Sequence, residues 1–131
     1  MIGILIAGHG EIAAGVLSAA QLILGPIDQV ETLALTVDLA PETFGDQVVA
    51  AGERLDTGDG LVILTDLRGG TPFNQSALAT RDRRWAVVCG LSLPMFIQAI
   101  ESRVTADLPD LIEQVKAAAA DGIVSIKGKA V

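Results

Sequence analysis

Apolar runs of strand length alternate along this chain with segments whose apolar positions recur at helical spacing. The first run, Ile2 to Ala7, is apolar almost throughout, as a strand covered on both faces of a sheet should be. From Glu11 to Leu24, the positions Ile12, Val16, Ala19, Ala20 and Ile23 predict one face of a helix, which Gly25-Pro26 stops. Val30 to Val37 reads as a second strand. Pro41 then opens a helix whose buried stripe is Phe44, Val48, Ala51 and Leu55. Thr57-Gly58-Asp59-Gly60 is a turn into the third strand, Leu61 to Thr65. That strand delivers Asp66 at its end, followed by the loop Leu67-Arg68-Gly69-Gly70. Thr71 is expected to cap the next helix, with Pro72 at its first position. Trp85 to Cys89 is the fourth strand. Ser92 and Pro94 start a helix carrying Phe96, Ile97, Ile100 and Val104. Asp107 starts the last helix, with Leu108, Leu111, Ile112 and Val115 on one face. In the tail, Gly122 to Lys127, Val124 and Ile126 flank Ser125 and predict a short strand at a sheet edge.

Strands alternating with helices make a parallel sheet covered on both faces. Right-handed crossovers reduce the possible topologies to a few. The expected fold is α/β: an open, mainly parallel sheet of order 2-1-3-4, helices on both faces, and a C-terminal edge strand. Residues 1–131 are expected to form a single domain, with no repeat, linker or low-complexity segment. In this order strands one and three are neighbours whose outgoing chains diverge, which opens a crevice at their ends. His9, the chain's one histidine, follows strand one between Gly8 and Gly10, and Asp66 follows strand three. The topology therefore predicts that the two meet.

Half the residues are hydrophobic but only 3% are aromatic, so Ala, Val, Leu and Ile must build the core. Nine basic against sixteen acidic residues give a net charge of −7. That argues against nucleic acid and against an anionic membrane surface as partners, and allows steering toward a basic protein. A single cysteine, Cys89, permits no intramolecular disulfide and fits a reducing cytoplasm. The chain opens on a strand-like segment without a basic leader, so no signal peptide is expected. No apolar run reaches the roughly 20 residues of a membrane span, so direct membrane insertion is not expected.

A neutral imidazole is nucleophilic at one nitrogen while the other carries the proton. An aspartate accepting that N–H fixes the tautomer and steadies the positive charge that develops as the ring attacks phosphorus. Backbone N–H groups at Gly10, and at Gly70 with the Thr71 hydroxyl at a helix start, are candidate phosphate donors. Each piece also has an ordinary structural reading. His9 or Asp66 can cap a turn, Gly69-Gly70 can be a tight turn, and Asn74 can bond its own backbone. Other chemistries lack their residues. There is no Walker sequence, the glycines miss dinucleotide spacing, and one His with one Cys is poor material for zinc. No metal or cofactor is called for.

Three motifs in order resemble the mannose-family enzyme IIA domain of the bacterial sugar phosphotransferase system. They are Gly8-His9-Gly10 with Ala14-Gly15, then Asp66-Leu67-Arg68-Gly69-Gly70-Thr71-Pro72-Phe73-Asn74, then Gly90-Leu91-Ser92-Leu93-Pro94-Met95. The resemblance covers essentially the whole chain. It implies a phosphotransferase in which the phosphocarrier HPr donates to His9 on Nε2. Asp66 holds Nδ1, and His9 passes the group to an enzyme IIB serving a membrane permease. It also implies a homodimer in which the C-terminal strand crosses between subunits. Arg68, Phe73, Asn74 and Ser92 are candidate partner contacts; Ser92 stands where the family usually has Asn. Two other uses of such a domain remain open: a phosphoryl donor for a dihydroxyacetone kinase, or a regulatory module phosphorylated at His9 that passes nothing on.

Overall fold

The computed structural model describes residues 1–131. In chain order the elements are β1 (Gly3–His9), α1 (Ile12–Leu24), β2 (Val30–Leu35), α2 (Pro41–Leu55), β3 (Leu61–Thr65), α3 (Thr71–Ala79), β4 (Trp85–Cys89), α4 (Leu93–Ser102) and α5 (Leu108–Asp121). The four strands form one parallel sheet in the order β2-β1-β3-β4, the order expected from the sequence.

Strand alternation divides the core in two. Ile2, Ile4 and Ile6 of the first strand segment, with Val62 and Leu64 of β3, face α1, α4 and α5 through Ala13, Ala20, Phe96, Leu111 and Val115. Leu5, Ala7, Leu61 and Ile63 face α2 and α3 through Phe44, Val48, Ala51, Leu55 and Ala79. β1 and β3 are the central strands, and this two-sided cover explains their unbroken apolar character. Their register pairs Ala7 with Thr65, so both chains leave the sheet at the same level. That level is where His9 and Asp66 stand.

Several local expectations change. In α1 the buried residues are Ala13 and Ala20, whereas Ile12 and Ile23 are 41% and 59% exposed. No charged residue marks an outer face on this helix, so periodicity alone cannot say which apolar flank turns inward. β2 ends at Leu35, opposite His9, because β1 offers no ladder beyond that point; Val37 is fully exposed. Gly70, not Thr71, is the N-cap of α3, with no side-chain bond. Thr71 is the first helical residue and Pro72 the second, a position where a missing N–H costs nothing. Ser92 and Asp107 do cap α4 and α5, accepting from the Met95 and Asp110 N–H groups. Val104 lies beyond the end of α4 and is exposed.

The edge strand expected at Gly122 to Lys127 does not form in the single chain. α5 runs to Asp121, Gly122 packs against Pro94, and residues 123–131 lie exposed without strand pairing. A strand exists only through its ladder, and here the tail has no strand beside it.

Candidate functional site

β1 carries His9 as its last residue, and Gly10, at φ +55°, turns the chain toward α1. β3 hands the chain to Asp66. One oxygen of that carboxylate, Oδ2, accepts the backbone N–H of His9 at 2.9 Å and lies 2.9 Å from His9 Nδ1. A carboxylate at Nδ1 holds the ring proton there in the neutral imidazole. The lone pair then sits on Nε2. Burial works to raise the Asp66 pKa. The two hydrogen bonds from His9 and the ring's charge outweigh it and hold the carboxyl below its usual range. The His9 side chain is 46% exposed and that of Asp66 10%, so the imidazole is reachable while the carboxylate that orients it is sheltered.

Two glycines make room for this pair. A Cβ on Gly8 would lie 2.5 Å from Ile12 Cγ2 and 3.2 Å from the Asp66 carboxyl carbon. A Cβ on Gly70 would lie 2.9 Å from His9 Cε1 and 3.5 Å from Nε2. The start of α3 thus comes up against the ring edge that carries the free nitrogen.

The N–H groups at that end divide into used and unused. Gly10 donates to Leu35 O at 2.9 Å and Gly70 to Leu67 O at 3.1 Å, so both glycine donors anticipated for phosphate are already engaged. The Thr71 and Phe73 N–H groups, in the first turn of α3, have no acceptor in the chain, and Pro72 between them has no N–H. The helix dipole adds partial positive charge there. An open cleft of about 630 Å³ leads to the site, lined by His9, Gly10, Leu35, Thr36, Val37, Leu39 and Thr71.

The remaining candidates separate. Arg68 is exposed in the loop and makes no ion pair. Phe73 is half-buried beside the open donors. Asn74 donates its side-chain amide to Gly69 O at 3.0 Å, bracing the loop from within. Ser92 caps α4 and lines a separate cavity of about 310 Å³ with Val88, Cys89 and Met95. Ile12, lying over Gly8, is the site neighbour that sequence reasoning missed. A side-chain-free residue directly before the histidine was the available signal. No three His, Cys, Asp or Glu side chains gather to hold a metal ion, and no helix is long and apolar enough to cross a membrane.

Among known proteins, the chain is 30% identical over 134 aligned residues to the PTS system mannose-specific EIIAB component of Escherichia coli (strain K12). The alignment takes in 99% of this chain and 41% of that protein. The chain therefore spans about two-fifths of the length of that relative. It is 25% identical over 118 residues to the PTS system fructose-specific EIIA component of Bacillus subtilis (strain 168), covering 89% of this chain and 81% of the other. Among solved structures, the phosphotransferase system component EIIA from Streptococcus agalactiae superposes with a TM-score of 0.82 at 32% identity, covering 95% of this chain and 97% of that one. The EIIA-man family, described as PTS system fructose IIA component, matches residues 3–116. With that match spanning both ends of the sheet and the His9–Asp66 pair, the chain belongs to the EIIA-man family of phosphotransferase system IIA components.

Proposed function

We propose that His9 is the phosphoryl carrier of a sugar phosphotransferase relay, taking the group from phospho-HPr and handing it to an enzyme IIB. The observation that carries this reading is the orientation of the chain's single imidazole. Nδ1 is held by Asp66, and Nε2 is left against the open first turn of α3. In the first step the Nε2 lone pair attacks phosphorus. The bond from phosphorus to the donor's nitrogen breaks, and its electron pair returns to the donor. Asp66 balances the positive charge that His9 acquires. In the second step a nucleophile of the acceptor attacks the same phosphorus, and the Nε2 electron pair returns to the ring. Thr71 N–H, its hydroxyl and Phe73 N–H are assigned to the phosphoryl oxygens. Gly10 and Gly70 serve by their smallness, bringing backbone close.

Arg68 and the exposed part of Phe73 are assigned to partner contact. Asn74 and Ser92 support the loop and helix they belong to. Sugar selection falls to the membrane permease that the IIB serves. The reading also takes the protein as a cytoplasmic homodimer. β4 has one free edge, and the tail carries exposed Ile123, Val124 and Ile126. A second copy's tail on that edge would cover both.

Intact-mass spectrometry after incubation with enzyme I, HPr and phosphoenolpyruvate tests the carrier. Wild type should gain one acid-labile phosphoryl group, and His9→Ala none. Label on His9→Ala would overturn the assignment.

A further inference from the structure

His9 and Asp66 stand where the strands end. The other end of the sheet lies about 20 Å away along β1 and gathers a different set of groups. There Met1 and Ile2 lead into β1, Asp59 precedes β3, Arg84 precedes β4, and the α4–α5 connection supplies Arg103 to Asp107. These residues line a cavity of about 550 Å³, a size that suits a small ligand. Backbone bonds fix its walls: Leu61 N–H donates to Arg84 O at 3.2 Å, and Thr105 and Ala106 N–H donate to Ser102 O at 3.2 and 2.8 Å.

The charges in this cavity are unevenly served. Asp59 meets the N-terminal ammonium, and Asp107 Oδ1 accepts the Asp110 N–H, so both carboxylates have partners. Neither Arg84 nor Arg103 forms an ion pair. Arg84 is exposed, whereas Arg103, at 6% exposure, is the one buried side chain among the chain's nine basic residues. Arg103 Nη1 donates to Gln29 O at 3.1 Å and Nη2 to Asp28 O at 2.6 Å, bracing Gln29 at φ +55°. Those bonds account for its place in the fold but not for its charge, since both acceptors are neutral carbonyls and a guanidinium has five N–H donors. Burial pushes the Arg103 pKa down, and the Asp28 charge works against that shift. A buried cation without a bonded counter-ion is costly, and an oxyanion on its spare N–H groups would relieve that cost.

We propose that this cavity binds a small organic phosphate, with the doubly charged head between the Arg84 and Arg103 guanidiniums and an apolar body against Met1, Val104 and Ala106. Two planar guanidiniums without carboxylate partners suit a dianion. A chain of net charge −7 repels anions in general, so a site for one needs such a local pair of cations. The cavity is remote from His9, and the proposal does not depend on the carrier role.

Phenyl phosphate is the probe, followed by ¹H–¹⁵N spectra of the backbone and of the arginine Nε–H groups. Saturable shifts should centre on Arg84, Arg103, Val104, Thr105 and Ala106, with a dissociation constant on the order of 1 mM. Inorganic phosphate should bind the same residues about tenfold more weakly, for want of the apolar body. Benzoate, with one charge, should also bind about tenfold more weakly. Arg84→Gln leaves the buried Arg103 in place and should weaken phenyl phosphate about tenfold or more while the rest of the spectrum stays as in the wild type. No saturable shift at these residues overturns the proposal. Shifts confined to the start of α3 overturn it too, since the probe would then be reading the open Thr71 and Phe73 N–H groups. Equal binding of benzoate overturns the dianion assignment, and unchanged affinity in Arg84→Gln removes the paired-arginine site.

Discussion

Asp56 and Asp66 bracket the same strand and do opposite kinds of work. Asp56 precedes β3 at the end of α2, and both of its carboxylate oxygens accept hydrogen bonds from fixed groups. Its Oδ1 accepts the N–H of Gly58 at 2.9 Å and of Gly60 at 3.0 Å, and its Oδ2 accepts Trp85 Nε1–H at 2.8 Å. Gly58 and Gly60, at φ +123° and +100°, fold the backbone back onto it. Arg83 stacks over the Trp85 ring, 4.8 Å from its centroid. Burial tends to raise the Asp56 pKa, but the bonds from Gly58, Trp85 and Gly60 outweigh it and hold the carboxyl below its usual range. Asp66, beyond β3, is held low as well, yet every bond it receives from another residue comes from His9. A carboxylate satisfied by several elements ties them together. One satisfied by a single reactive side chain controls that side chain.

Substitutions can separate the two carboxylates. Asp66→Asn keeps the shape but loses the charge and mis-sets the tautomer. Phosphoryl uptake should fall on the order of 10²- to 10⁴-fold with little change in unfolding midpoint, read by rapid-quench labelling. An unchanged rate would remove Asp66 from the mechanism. Gly70→Ala is conformationally tolerable, since Gly70 sits at φ −74°, but its methyl would meet His9 Cε1. About a 10- to 100-fold loss of transfer is expected in the same assay, through displacement of the ring or the α3 turn.

Asp56→Ala should do the reverse. Below its unfolding temperature it should transfer phosphate at close to the wild-type rate. Urea denaturation followed by Trp85 fluorescence should show a loss of about 1–3 kcal/mol. A large rate defect in that variant would erase the contrast between the two carboxylates. The smallest effect is in acid. The folded pKa of Asp56 is depressed, so its contribution is fully present above the ordinary carboxylate value, near about pH 4, and is lost as pH falls through the lower folded value. The wild type should lose more stability across that window than Asp56→Ala, measured by the same denaturation series.

The strands were legible because β1 and β3 are covered on both sides and read as unbroken apolar runs. The stripe of α2 was legible because polar residues mark its outer face; Phe44, Val48, Ala51 and Leu55 are all buried. α1 lacks that contrast, and Ile12 and Ile23 were expected inside. The meeting of His9 with Asp66 followed from strand order, since neighbouring parallel strands end together. Finer features did not follow. That one Asp66 oxygen takes both His9 bonds, that the Gly10 and Gly70 N–H groups are spent on carbonyls, and that Ile12 fills the space over Gly8 depend on ångström-scale approach. The tail forms no strand within the single chain, because a local apolar pattern names no neighbour to pair with.

The close approach of Gly70 to the imidazole has a kinetic consequence. Nδ1 is committed to Asp66, and backbone closes on the Cε1 edge, so a phosphoryl group carried as proposed on His9 would enter and leave by a single doorway. In a relay through this residue, donor and acceptor cannot both be seated. Transfer must alternate in ping-pong order, and unphosphorylated donor must compete with acceptor for the loaded carrier. Net flux would then depend on the ratio of spent to charged donor as well as on the supply of phosphate, which lets a single histidine read the energetic state of the chain of carriers above it.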